Sequence, residues 1–282
     1  MKIAAIQMVS GTSLQANLDR ARHWIEQAAA RGARLVSLPE YFCLMGQHDG
    51  DKLAFAERPG DLDAPIQGML SRAARETGTW VLGGTLPMAL EGQSGPSDRV
   101  RNTTCVFGPD GHLAARYDKL HLFRYDNGRE HYDEGRVLEA GDAPATVTAT
   151  MGHGDPDLRI GLSVCYDLRF PELYRAMSFT EGQPPLDLIS VPAAFTYTTG
   201  QAHWELLLRA RAVENQAFVI AAAQGGQHEN GRRTWGHSMV IDPWGEVLAC
   251  VPEGEGLALA DIDPARLKQV RQQLPALNHR RL

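Results

Sequence analysis

Cysteine is scarce in this chain of 282 residues: there are four, and no two stand in a CxxC or CxH spacing. Cys43, Cys105, Cys165 and Cys250 lie too far apart to suggest a structural zinc site or a disulfide framework. Dense basic runs are missing too, apart from the short tail His279, Arg280 and Arg281, and the net charge is −6. A nucleic-acid binder carries a basic patch, so that class is set aside. No stretch of eighteen apolar residues occurs, which leaves no candidate membrane span. The opening MKIAAIQMVSG is apolar over too few residues for a signal peptide, and a reducing cytoplasm is the expected compartment. The ten histidines show neither HExxH nor a carboxylate-partnered HxH spacing, so no metal is expected.

What is present is ordinary globular composition, 43% apolar and 22% charged, in a length that suits one α/β domain over residues 1–282. The pattern opens with a strand at 2–8. A helix follows whose Leu18, Ala21, Ile25 and Ala28 recur at helical spacing, with Gly32 just past its end. Residues 33–40 read as a second buried strand, PIQGMLSRAARETG as a helix ending at Gly78, and TWVLGGTLP as a third strand. NTTCVFGPDGHLAARYDK and HSMVIDPWGEVLAC read as hairpins around PDG and DPWG turns. Residues 123–150 look loop-rich. Beyond them, RIGLSVCYD, LDLISVPAAF, AFVIAAAQG and GLALADI read as strands, alternating with helices at FPELYRAMSF and HWELLLRARAVENQ. A short helix closes the chain. This alternation predicts a layered α/β fold with mixed sheets.

Three polar residues stand just after apolar runs, where layered α/β sheets line their ligand crevices: Glu40, Lys119 and Cys165. Singly, each has a plain reading as a solvated loop charge, an edge-protecting lysine and a packed thiol. Together they make a coherent acyl-transfer set. A thiol needs a base to attack, a carboxylate can take its proton, and an ammonium can stabilise thiolate and oxyanion. The helix after Cys165 is expected to favour negative charge there. Cys43, Cys105 and Cys250 read as plain thiols, and His237 as a structural residue.

LVSLPEYF around Glu40, YDKLHLF around Lys119 and SVCYDLRFPEL around Cys165 resemble the three signature blocks of the nitrilase, or carbon–nitrogen hydrolase, superfamily. IAAIQM, HYDEG…LEAGD, VPAAFTYTTGQAHWELLLRARAVENQ and GHSMVIDPWGEVLA extend the resemblance over nearly the whole chain. The resemblance implies a four-layer αββα sandwich, hydrolysis of an amide or nitrile through a Cys thioester, and no cofactor. It assigns the nucleophile to Cys165, the acid and base to Glu40, oxyanion stabilisation to Lys119 with the backbone N–H of Tyr166, and a supporting carboxylate to Glu134, with Glu130 its competitor.

The segment QGGQHENGRRTWGHSMVIDPWG is more similar to the branch acting on deaminated glutathione, yielding 2-oxoglutarate and cysteinylglycine, than to the omega-amidases acting on 2-oxoglutaramate. Either substrate carries an α-keto acid, for which Arg169 is a candidate carboxylate contact; its alternative is an ion pair with Glu172 or another carboxylate. Phe195, Thr196 and His203 are further pocket candidates, Thr196 alternatively a helix cap. A nitrilase or N-carbamyl amidohydrolase, and an inactive binding protein on the same fold, are the competing readings. The resemblance also implies a homodimer or larger even-numbered homo-oligomer, with a small amide as partner and neither nucleic acid nor membrane.

Overall fold

Alternation along the strands decides the layering. In strand Lys2–Gln7, Ile3 and Ala5 join one apolar core while Ala4 and Ile6 join another. The same split separates Leu35 from Val36, Leu82 from Val81, and Val106 from Cys105 and Phe107, because successive side chains of a strand leave opposite faces. A sheet apolar on both faces must be covered on both. One face here lies under helices α1 (Leu14–Ala30) and α2 (Pro65–Thr77), and the other meets a second sheet.

The computed structural model describes residues 1–92, 97–128, 131–152 and 154–281. In the first sheet the strands run Gly256–Asp261, Lys2–Gln7, Ala33–Ser37, Trp80–Leu82, Val100–Phe107 and Leu86–Met88, with Leu113–Asp118 and Leu138–Glu139 also paired to Val100–Phe107. The second runs Ala145–Ala149, Leu158–Leu162, Leu188–Ser190, Phe218–Ala221, Ser238–Ile241 and Val247–Val251. Helices α3 (Pro171–Ser178) and α4 (Tyr197–Asn215) cover the second sheet, completing a four-layer αββα sandwich. Each sheet is parallel at its centre and antiparallel around it, apart from Leu138–Glu139, which pairs parallel to Val100–Phe107. Among the described residues no helix is long and apolar enough to cross a membrane.

Local chemistry sets the element ends. Ser13 caps α1 by accepting from the Ala16 N–H, and Gly78 ends α2 at φ +66°. Each fully buried Leu or Ile on the inner face of α1, such as Ile25, contributes roughly 1.5–3 kcal/mol. Three expectations need correction. TWVLGGTLP is two short strands, Trp80–Leu82 and Leu86–Met88. They part at Gly84, at φ +50°, where a Cβ would stand 2.2 Å from the Pro39 carbonyl oxygen. The loop-rich stretch contains the ribbon Arg124–Asp126 with His131–Asp133 and two further short strands. RIGLSVCYD is strand only to Leu162, and a 3₁₀ turn, Cys165–Arg169, separates it from α3. Cys165 therefore does not sit at the N-terminus of an α-helix.

Candidate active site

Both parallel centres deliver a residue just past a strand's C-terminal end. Glu40 lies three residues beyond Ser37, and Cys165 three beyond Leu162. Lys119 follows the antiparallel strand Leu113–Asp118, its N–H donating to the Asn102 carbonyl at 3.0 Å. Cys165 holds φ +49° and Tyr41, directly after Glu40, φ +56°. A non-glycine residue there is strained; the Cys165 N–H is pinned to the Pro192 carbonyl at 2.9 Å and the Tyr41 N–H to Thr85 Oγ1 at 2.9 Å.

Lys119 is fully buried, and its Nζ donates to Glu40 Oε1 at 2.9 Å and to both oxygens of Glu134, at 2.9 and 2.8 Å. Glu40 also accepts from Asn102 Nδ2 at 2.9 Å and from the Ala194 N–H at 3.0 Å. Glu134 accepts from the Tyr41 hydroxyl at 2.8 Å and the Phe123 N–H at 2.7 Å. Glu130, the other candidate for the supporting carboxylate, lies outside the described residues.

Two carboxylates on one ammonium carry a net negative charge, and their environments push them apart. Burial lifts the Glu40 carboxyl above the usual range, against the pull of Lys119. Burial works the same way on Glu134, but Lys119 and the two further donors outweigh it and hold that carboxyl low. Burial would lower Lys119, yet Glu134 and Glu40 keep it protonated, well above its ordinary value. The Cys165 thiol is raised well above its ordinary value by burial and by Glu40. The free site thus holds a thiol beside a buried carboxylate.

The turn that carries Cys165 is tied to the segment that carries Lys119. Asp167 is fully buried, and its Oδ2 accepts from the Val164 N–H at 2.8 Å and the Tyr117 hydroxyl at 2.7 Å. Its Oδ1 takes the His121 N–H at 3.1 Å and His121 Nδ1 at 2.7 Å. Tyr117 and His121 flank Lys119, so one carboxylate ties the turn of Cys165 to the segment of Lys119. The Cys165 and Asp167 amides bond to the Pro192 and Val164 carbonyls. Tyr166, between them in the first turn of the 3₁₀ helix, has no intrahelical acceptor for its N–H.

These residues floor a cleft of about 750 Å³, solvent at its mouth included. Glu40, Glu134, Cys165, Tyr166, Arg169, Phe195 and Thr196 line it, while Lys119 lies beneath, bonded to two of them. Thr196 does both things its position allows, lining the cleft and capping α4 by accepting from the Thr199 N–H at 3.4 Å. His203 does not line the cleft: it is exposed, and its Nδ1 accepts from Arg169 Nη1 at 3.3 Å. At about 100° per residue on α4, the next residue, Trp204, takes the inward position and is buried. Arg169 lies over the Tyr166 and Phe195 rings, 5.9 and 5.5 Å from their centroids. The alternative ion pair with Glu172 is not formed, and among the described residues no other carboxylate pairs with Arg169.

Sequence reasoning missed Tyr41, Asn102, Lys52 and Asp167. Tyr41 and Asp167 sit inside the quoted blocks, where a buried hydrogen-bonding residue beside a candidate nucleophile or base was a usable signal. Asn102 and Lys52 come from a strand interior and a 3₁₀ helix, with no local pattern to mark them. Among the described residues no three His, Cys, Asp or Glu side chains cluster so as to hold a metal ion.

Comparison with known proteins gives a consistent picture. The carbon–nitrogen hydrolase family model matches residues 2–272. The chain is 42% identical over 279 residues to a deaminated glutathione amidase of Synechocystis sp., covering 98% of this chain and 97% of that protein. It is 38% identical over 281 residues to the omega-amidase NIT2 of Homo sapiens, covering 99% and 95%. Its structure resembles that of Saccharomyces cerevisiae Nit3, a member of branch 10 of the nitrilase superfamily, with a TM-score of 0.85 at 30% identity, covering 100% of this chain and 97% of that one. The chain belongs to the carbon–nitrogen hydrolase family.

Proposed function

We propose that this protein is a thiol amidohydrolase that cleaves a small α-keto-acid amide, with deaminated glutathione as its substrate and 2-oxoglutaramate as the second reading. The observation that carries it is the meeting of Glu40, Lys119 and Glu134 beside Cys165 in a cleft whose wall presents Arg169 without a carboxylate partner among the described residues. The names of the relatives support the choice of substrates. Arg169 is a planar fork matched to a carboxylate.

The mechanism follows from where protons rest. Glu40 takes the Cys165 proton as sulfur attacks the amide carbon. Lys119 and the Tyr166 N–H stabilise the oxyanion. Glu40 returns the proton to the nitrogen, the C–N bond breaks, and amine leaves a thioester on Cys165. Water then attacks the thioester, giving its proton to Glu40, the C–S bond breaks, and the thiol is restored. Glu134 is assigned the positioning of Lys119. The chain would act as one domain over residues 1–282, in the cytoplasm. A homodimer or larger even-numbered assembly is the state that the family resemblance implies.

Mass spectrometry of protein mixed with substrate tests the reading. A 2-oxoglutaryl adduct is expected on the peptide carrying Cys165, and Cys165→Ala should release no product. An adduct on another cysteine, or turnover by that variant, would sink it.

A further inference from the structure

The two ends of the catalytic set are built alike. Glu40 is followed by Tyr41, and Cys165 by Tyr166. A cation lies against each tyrosine ring: Lys52 Nζ is 4.7 Å from the Tyr41 centroid, and the Arg169 guanidinium 5.9 Å from that of Tyr166. Lys52 stands in the 3₁₀ helix Asp49–Phe55, after the first sheet's strand Ala33–Ser37, and Arg169 in the turn after the second sheet's strand Leu158–Leu162. Both line the cleft.

Lys52 is partly buried, and its three donors have no acceptor among the described residues. The charged groups around it are engaged elsewhere. Asp49 Oδ1 takes Arg232 Nη2 at 2.6 Å, and Glu134 is filled by Lys119, Tyr41 and Phe123. Glu40 bonds Lys119, Asn102 and Ala194. Partly exposed and stacked on the Tyr41 ring, the ammonium keeps its donors open at the cleft, where a ligand's acceptor can take them.

We propose that Lys52 receives a carboxylate on the leaving-amine half of the substrate, so that the cleft is matched to amides with a carboxylate on each side of the scissile bond. This rests on the amidase reading above. The acyl half stays bonded to Cys165 through the thioester stage, and Arg169 belongs to the same turn as Cys165. The amine half departs with a proton from Glu40, and Lys52 lies against the residue that follows Glu40. Deaminated glutathione has a carboxylate on both halves; 2-oxoglutaramate releases only ammonia and leaves Lys52 without a ligand.

The test is binding, which needs no turnover. Calorimetry on Cys165→Ala protein compares 2-oxoglutaryl-(S-methyl)cysteinylglycine with the same molecule ending in a carboxamide. The acid is expected to bind about tenfold to a hundredfold tighter, as a charge-assisted hydrogen bond provides. Adding Lys52→Met should collapse that ratio to near one, and Lys52→Arg should keep most of it. No preference for the acid, or a preference that survives Lys52→Met, overturns the proposal. So does an equal loss of both ligands in Lys52→Met, which would make Lys52 a counter-charge for Glu134. The adduct measurement judges the amidase reading separately: an acid preference that needs Lys52, with no adduct on Cys165, would remove that reading and leave the carboxylate site standing.

Discussion

The floor of the cleft and its wall hold cations in opposite ways. At the floor, Lys119 is fully buried and meets three carboxylate oxygens within 2.9 Å. On the wall, Lys52 and Arg169 lie against aromatic rings with no carboxylate partner among the described residues. The difference separates two uses of positive charge. A buried, saturated ammonium holds geometry and protonation fixed, and removing it strands its partners. A half-exposed, unsaturated one contributes little to the fold and leaves its donors for a ligand.

The contrast can be broken by substitution, beginning where the effect is greatest. Lys119→Met leaves Glu40 and Glu134 facing each other uncompensated. It should lower turnover at least ~1,000-fold and lower the unfolding free energy by about 3–5 kcal/mol, read by urea titration; wild-type stability in that variant would show that the floor is not held by charge pairing. Glu134→Gln keeps the shape and removes one charge, so kcat should fall about 100-fold. Because the Glu134 carboxyl is held low in the folded state, its stabilising contribution is complete above the ordinary glutamate pKa and fades as pH falls through the lowered value. The stability gap between wild type and Glu134→Gln should therefore close in acid.

The wall should behave otherwise. Arg169→Met is expected to raise KM for α-keto-acid amides about tenfold while changing the unfolding free energy by less than ~1 kcal/mol; a loss of stability as large as that of Lys119→Met would erase the distinction. The smallest effect is on pH. In the proposed mechanism Glu40 is the base only when ionised, and burial raises its pKa, so the acid limb of kcat/KM should lie above 4.5, the ordinary glutamate value. A limb at or below that value would place the working base elsewhere.

How much of this was legible beforehand depended on whether the information was local. Strand periodicity, the Gly78 stop and the PDG and DPWG hairpins lie within a few residues of one another, and the elements follow them. The split at Gly84 did not show, because its cause is the approach of the Pro39 carbonyl, from the segment just past strand Ala33–Ser37. Glu40, Lys119 and Cys165 were visible as polar ends of apolar runs and as family blocks. Their mutual distances were not, since three separate strands set them. Lys52 was invisible for the same reason: a lysine in DGDKLAF looks solvated until the fold lays it on Tyr41. The geometry also removed the α-helix N-terminus expected to favour negative charge at Cys165, since a 3₁₀ turn stands there instead.

One pairing bears on how the molecule is made. Strand Lys2–Gln7 lies between Ala33–Ser37 and Gly256–Asp261, and the Met1 amine reaches the Ile262 carbonyl across 261 residues of chain. At roughly 5–20 residues per second on the ribosome, that partner arrives about 13–50 s after the strand it completes. Throughout that interval strand Lys2–Gln7 is an open, apolar edge of the nascent first sheet. Ribosome-associated chaperones would find their binding site there, and translation pauses in the last third of the message would lengthen the exposure.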